Sequence, residues 1–241
     1  MIDVAFTLEE LARVPLAGVT AVVIDVVRAS TTIVTALAHG ARGVVPVSTP
    51  EEARERVRAW PNGTALLGGE RGGAPPPEFA CGNSPAEYTA ARVQGRTVVF
   101  TTTNGTRALL AAEGAKAVAV GGFVNAGAVA RWAEGRAGDA LFVCAGEGGR
   151  FCLEDATCAG LLVARLSARR PEAGLSDAAR AALRLHGHYG ADLGRMLAEA
   201  AWAQALVGQG RGGDLPLCVR LDCYDVVPVF RAGTLVAAER D

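Results

Sequence analysis

Residues 20–32 read Thr20-Ala21-Val22-Val23-Ile24-Asp25-Val26-Val27-Arg28-Ala29-Ser30-Thr31-Thr32. The first five are β-branched or small and apolar, the composition of a short buried strand. A polar turn follows over residues 25–30. Residues 31–39 then carry apolar side chains at helical spacing, and Gly40 is a helix stop. Strand, polar loop and helix in that order form the repeating half of a parallel α/β sheet.

The same cadence recurs along the chain. Residues 43–47 read as a strand, followed by a helix opened by Thr49 as cap, Pro50 at the first position and Glu52 completing a capping box. Residues 64–67 read as a short strand running into Gly68-Gly69-Glu70-Arg71-Gly72-Gly73. Ser84-Pro85-Ala86-Glu87 reads as a second capping box, starting a helix toward Arg92. Strands are expected over residues 96–100, 115–120 and 140–144. Helices are expected from the end of the loop over residues 101–106 to about Ala112, from Asn125 through Trp132, and over residues 151–166. After Pro171 the pattern becomes helix-rich to about Val207. A glycine-rich loop over residues 208–214 and a closing strand or hairpin over residues 226–238 complete the chain. The expected fold is three-layer α/β/α with a largely parallel sheet and a helix-rich C-terminal part, spanning residues 1–241 as one domain.

Composition narrows the function classes. The chain has 241 residues, of which 50% are hydrophobic and 20% charged, so collagen-like and disordered classes are excluded. Twenty-four basic against 25 acidic residues give a net charge of −1, without the basic surplus of a nucleic-acid binder. Nearly all cations are arginine, with Lys116 the only lysine; a coding bias explains that, and forks for oxyanions are a second explanation. Met1-Ile2-Asp3-Val4 shows no basic start to an apolar run, so no signal peptide is expected. No apolar run reaches the roughly 18 residues of a membrane span. Six cysteines form no metal-ligand pattern, which fits reduced thiols and a cytoplasmic location.

In parallel α/β folds, ligands gather beyond the carboxyl ends of the strands. Four polar loops qualify. In the first, Asp25 suits Mg²⁺, which takes one or two carboxylates plus phosphate oxygens. Arg28 can fork onto an oxyanion, and Ser30 and Thr31 open a helix whose free N–H groups favour an anion. Read plainly, Asp25 and Ser30 cap a turn and Arg28 makes a surface ion pair. Glu70-Arg71-Gly72-Gly73 is the second loop, equally readable as a flexible turn. The third, Thr101-Thr102-Thr103-Asn104-Gly105-Thr106-Arg107, offers hydroxyls, an amide and a helix start, although three threonines also suit a strand. The fourth, Gly146-Glu147-Gly148-Gly149-Arg150, leads to Glu154 and Asp155 in the first turn of a helix. There they complement the helix dipole, or bind metal, or act as a base. Asn83, just before Ser84, can also reach an oxyanion. Neither a P-loop nor a Gly-x-Ser-x-Gly elbow is present, and Val27 replaces the second acid of an Asp-x-Asp phosphatase. His39, His186 and His188 read as structural or surface residues.

Five of these segments in order resemble the 2-phosphosulfolactate phosphatase family: residues 22–32, Gly69-Glu70-Arg71-Gly72-Gly73, Gly82-Asn83-Ser84-Pro85, Thr101-Thr102-Thr103-Asn104-Gly105-Thr106, and Cys144-Ala145-Gly146 with Leu153-Glu154-Asp155-Ala156. The resemblance runs over residues 20–165 and more loosely beyond. It implies an α/β/α enzyme that hydrolyses 2-phospho-3-sulfolactate to 3-sulfolactate and phosphate with Mg²⁺, a step of coenzyme M biosynthesis. Two positions depart from the pattern. Glu78-Phe79-Ala80-Cys81 stands where Gly-Phe-Asp-Leu is usual, and Cys152 stands where a serine precedes Leu-Glu-Asp.

Asp25, Arg28 and Asp155 are the expected catalytic residues, with Glu154 an alternative base. Asp25, Glu70 and Glu154 are the expected Mg²⁺ ligands. Ser30, Thr31, Arg71, Asn83, Thr102, Thr103, Asn104 and Arg150 are expected around the substrate, with Arg107 nearby. The partner is a small phosphorylated anion, with no nucleic acid or membrane, and a homo-oligomer is compatible. The competing readings are a non-catalytic module binding an anionic metabolite, and a lyase or isomerase acting on a phosphorylated acid.

Overall fold

The computed structural model describes residues 1–239. Nine strands form one sheet: β1 (Ile2–Ala5), β2 (Thr20–Ile24), β3 (Gly43–Pro46), β4 (Ala65–Gly69), β5 (Thr97–Thr101), β6 (Ala117–Gly121), β7 (Ala140–Cys144), β8 (Pro228–Arg231) and β9 (Thr234–Ala237). The order across the sheet is β1-β7-β2-β6-β8-β9-β3-β5-β4. Two parallel blocks, β1-β7-β2-β6 and β3-β5-β4, are joined by the antiparallel hairpin β8-β9. The hairpin meets each block antiparallel, through Ala119 opposite Val229 and Val44 opposite Leu235. The closing hairpin expected at the end of the chain is thus the middle of the sheet.

Period-two burial assigns the faces. Along β2, Ala21 and Val23 belong to one core and Val22 and Ile24 to the other; in β7, Leu141 and Val143 oppose Phe142 and Cys144. Strands buried on both faces carry the continuous apolar runs of a parallel sheet. One face packs against α6 (Ala126–Glu134), α7 (Leu153–Arg169), α8 (Asp177–Tyr189), α9 (Leu193–Glu199) and α10 (Ala201–Gly208). The other carries α1 (Leu8–Leu11), α2 (Ala29–Ala38), α4 (Ala90–Val93) and α5 (Gly105–Ala111), while α3 (Pro50–Val57) closes a third, smaller core over β3 and β5. α11 (Leu215–Cys218) follows α10. The architecture is three-layer α/β with a helical C-terminal part.

Local deviations have identifiable causes. Thr49 caps α3 as expected, accepting from Glu52 N at 3.1 Å. Ser84 starts only the 3₁₀ turn Pro85–Glu87, because its hydroxyl donates to Asp214 (2.6 Å) and Glu87 reaches back to Gly82 N (2.8 Å). Asn125 precedes α6 but accepts from Gly122 N (2.9 Å) and donates to Val226 O (2.9 Å), tying β6 to the C-terminal chain. All six cysteines are free thiols, five of them buried. Among the described residues no helix is long and apolar enough to cross a membrane.

α7 and α8 make the closest helix pair. A Cβ on Gly160 would stand 2.0 Å from Ala182 O, so glycine sets the approach of the two backbones. Gly160→Ala is expected to force α8 outward and destabilise the fold by about 1–3 kcal/mol; urea unfolding followed by circular dichroism measures it.

Candidate active site

The C-terminal ends of β2, β4, β5 and β7 open onto one crevice of about 120 Å³. Its walls include Asp25, Arg28, Glu70, Asn83, Thr103, Asn104 and Glu147, with Trp202 and Gln209 added from the C-terminal helices. The opposed blocks can share it because neighbouring strands twist by about 20–25° each, which accumulates over the five steps from β2 to β5.

Beyond β2 the chain folds back on itself. Asp25 N donates to Ser30 Oγ and Ser30 N to Asp25 O, both at 2.8 Å. Asp25 Oδ1 accepts from Ala29 N (3.0 Å), the first residue of α2. Oδ2 lies against Gly105 at the start of α5, where a Cβ would come within 2.6 Å. The missing side chain lets the β5 loop close over this carboxylate. Burial, with the Glu70, Glu147 and Glu154 charges nearby, pushes the Asp25 pKa up to about 7, against the pull of the Ala29 N–H.

Glu70 is buried at the end of β4 and accepts three hydrogen bonds. Gly73 N and Thr103 N each donate at 2.7 Å, and Thr103 Oγ1 at 3.3 Å. Glu147 accepts from Asn104 Nδ2 (2.7 Å), and burial followed by the Glu70 and Glu154 charges raises its pKa. Behind this wall, Asp155 bridges two loops: Oδ1 accepts from Val26 N (2.8 Å) and Oδ2 from Gly146 N (3.1 Å). Burial and the neighbouring carboxylates hold its pKa well above the usual range. Glu154 is 1% exposed, and both its oxygens lack a hydrogen-bond partner at normal distance. Burial raises its pKa; its own backbone N–H and the Cys152 thiol oppose the shift. It lines an adjoining cavity that shares Glu147 and Trp202 with the crevice.

The structure sorts the expected residues. Asp25, Arg28, Glu70, Asn83, Thr103 and Asn104 meet at the crevice, with Glu154 and Asp155 immediately behind. The Ser30 hydroxyl is turned to Asp25 N and Val23 O, Thr31 to Val26 O (2.9 Å), and Thr102 to the start of α5 through Thr106. These three shape the loops and do not line the crevice. Arg71 points away from it, its fork held by Glu70 O, Ser48 O and Thr101 Oγ1. Arg150 is exposed beside the adjoining cavity, and Arg107 is exposed on α5. Of the four arginines expected to converge, Arg28 alone lines the crevice. Of the departures from the family pattern, Cys152 lies beside Glu154 and Cys81 O accepts from Gly69 N (3.2 Å).

Sequence reasoning assigned no role to Glu147, Trp202, Gln209 or Asp214. Glu147 lies in the fourth polar loop, residues 146–150, and its acidic side chain is the signal that marks it. The other three reach the site through chain reversals that no local pattern announces. Trp202 Nε1 donates to Val27 O (2.8 Å), and Asp214 accepts from Arg28 Nη1 (2.8 Å).

The family model for 2-phosphosulpholactate phosphatase matches residues 5–233. The chain belongs to that family. A relative from Symbiobacterium thermophilum, named "Probable 2-phosphosulfolactate phosphatase", is 44% identical over 93% of this chain and 96% of its own. A Thermotoga maritima protein of the same name is 39% identical over 91% and 92%, and one from Clostridium acetobutylicum is 34% identical over 98% and 99%. As a member of the 2-phosphosulpholactate phosphatase family the chain is an enzyme, a phosphoric monoester hydrolase.

Asp155 holds two buried N–H groups from different strands' loops. Asp155→Ala leaves both unpaired and is expected to cost about 1–3 kcal/mol for each, measured by denaturant unfolding.

Proposed function

We propose that this enzyme hydrolyses 2-phospho-3-sulfolactate, or a closely related phosphorylated acid, to the hydroxy acid and inorganic phosphate, with Mg²⁺ as cofactor. The observation that carries the reading is the meeting of Asp25, Glu70 and Glu147 around one small crevice whose arginine is Arg28. The substrate comes from the names of the relatives.

The residues fit a hard divalent cation. Glu154 carries two buried oxygens without partners, and Asp25 is crowded by three other carboxylates. Among the described residues no three His, Cys, Asp or Glu side chains already form a cation cage. Mg²⁺ commonly takes only one or two carboxylates, completing its shell with water and phosphate oxygens. Asp25 would hold it, with Glu70 or Glu154 as the second ligand. When bound, Mg²⁺ would neutralise charge on the phosphate oxygens. Asn104 orients Glu147, and Thr103 orients Glu70. Arg28 donates to the phosphate and stabilises charge on the group in transfer. Asn83 lines the crevice with Arg28; its Oδ1 is buried without a partner and can only accept, so contact with the anion falls to its Nδ2 donors.

Phosphate release from 2-phospho-3-sulfolactate with Mg²⁺ tests the reading. Asp25→Asn is expected to lower kcat by at least about 100-fold, the loss for one strong transition-state contact. Wild-type turnover in that variant removes Asp25 from the mechanism, and affinity without turnover in the wild-type enzyme turns the reading to a binding module. A second measurement concerns the cation alone. Mg²⁺ at ten times its dissociation constant should stabilise the fold by about 1.4 kcal/mol. That is a rise in Tm of roughly 2–4 °C for a chain of this size, reversed by chelator and reduced in Asp25→Asn.

A further inference from the structure

Arg28 faces a choice of anions. Asp25 stands three residues before it and Glu70 lines the same crevice, yet neither pairs with it. Instead Nη1 donates to Asp214 Oδ2 at 2.8 Å and Nη2 donates to Gly73 O at 3.0 Å. Arg28 is buried and Asp214 nearly so, with side chains 4% and 11% exposed. The second oxygen of Asp214 is also held, accepting from Ser84 Oγ at 2.6 Å. The preceding residue is fixed by the same part of the chain, through the bond from Trp202 Nε1 to Val27 O. The C-terminal segment therefore grips two consecutive residues of the β2 loop.

We propose that Asp214 is a positioning residue for the reaction, holding the Arg28 guanidinium away from the crevice carboxylates so that it stays presented to the phosphate. The inference rests on the phosphatase reading above. A guanidinium has five N–H donors, and two are spent on Asp214 and Gly73, so three remain for a ligand. Charge attraction strengthens as water is excluded. Released from Asp214, Arg28 would collapse onto Asp25 or Glu70 and occupy the place of the substrate. A buried ion pair is in itself weak support for stability, so its presence here is better explained by where it puts the arginine. Arg28 and Asn83 also line a second cavity of about 270 Å³ beside the crevice, together with Arg211 and Asp214.

A double-mutant cycle tests this with the full chain. Phosphate release is measured for wild type, D214N, R28Q and the double variant, alongside Asp214→Glu. D214N is expected to lower kcat/KM at least tenfold, and R28Q at least as much. The double variant should match R28Q within twofold, and Asp214→Glu should recover at least half of the lost activity. Losses that multiply, or a D214N enzyme as active as wild type, overturn the proposal. Should D214N not fold by circular dichroism, Ser84→Ala replaces it in the cycle. A two- to fivefold loss is then expected in the wild-type background and none in R28Q, and equal losses in both overturn the proposal. Calorimetric titration with inorganic phosphate and Mg²⁺ reads the crevice without turnover. Phosphate should bind about tenfold more weakly to D214N, and equal affinity overturns the proposal. A wild-type enzyme that binds phosphate but hydrolyses nothing would sink the phosphatase reading while leaving this comparison intact.

Discussion

Carboxylates crowded at the strand ends set the terms for the whole site. Asp25, Glu70 and Glu147 line the crevice, and Glu154 and Asp155 lie directly behind. Burial opposes the ionisation of Asp25, Glu147, Glu154 and Asp155, and like charges nearby add to it at Asp25, Glu147 and Asp155. The fold offsets the cost with donors from neighbouring loops. Ala29 serves Asp25, Gly73 and Thr103 serve Glu70, Asn104 serves Glu147, and Val26 with Gly146 serves Asp155. In three of these six bonds the donor belongs to a different loop from the acceptor. The same hydrogen bonds that make the carboxylates tolerable therefore lock the loops to one another.

That stitching needs the strand ends to meet, and the sheet makes this hard before it makes it possible. The two parallel blocks are separated by the β8-β9 hairpin, antiparallel to each. In a flat sheet their C-terminal edges would face opposite ways. Accumulated twist brings them to a common crevice, and Gly105 lets the β5 loop approach Asp25 closely. The C-terminal helices then cover the opening, contributing Trp202 and Gln209 to its wall.

Much of this architecture was legible in the sequence because its signals are local. The apolar run Thr20–Ile24, the Thr49-Pro50-Glu52 cap and the first-turn placement of Glu154 and Asp155 depend on neighbours within a few residues. What sequence could not show is which partner a polar side chain prefers. Ser30, Thr31 and Thr102 looked like ligands for an oxyanion, but short hydroxyls reach backbone groups at close range and shape the turn instead. Arg71 looked like an anion fork and is satisfied by two carbonyls and a hydroxyl. Asp214 lies 186 residues from Arg28, so no spacing rule could pair them.

The arrangement also constrains the order in which charge can enter. A phosphorylated acid is a polyanion, and the crevice that would receive it is lined by three carboxylates and one arginine already committed to Asp214. Net charge gives no help, since the chain as a whole stands at −1. An anion approaching this wall alone meets repulsion that the remaining donors of Arg28 can only partly offset. A divalent cation bound there would offset much of that charge. Cation and substrate would then each improve the site for the other, as the placement of the acidic groups requires of any phosphorylated acid.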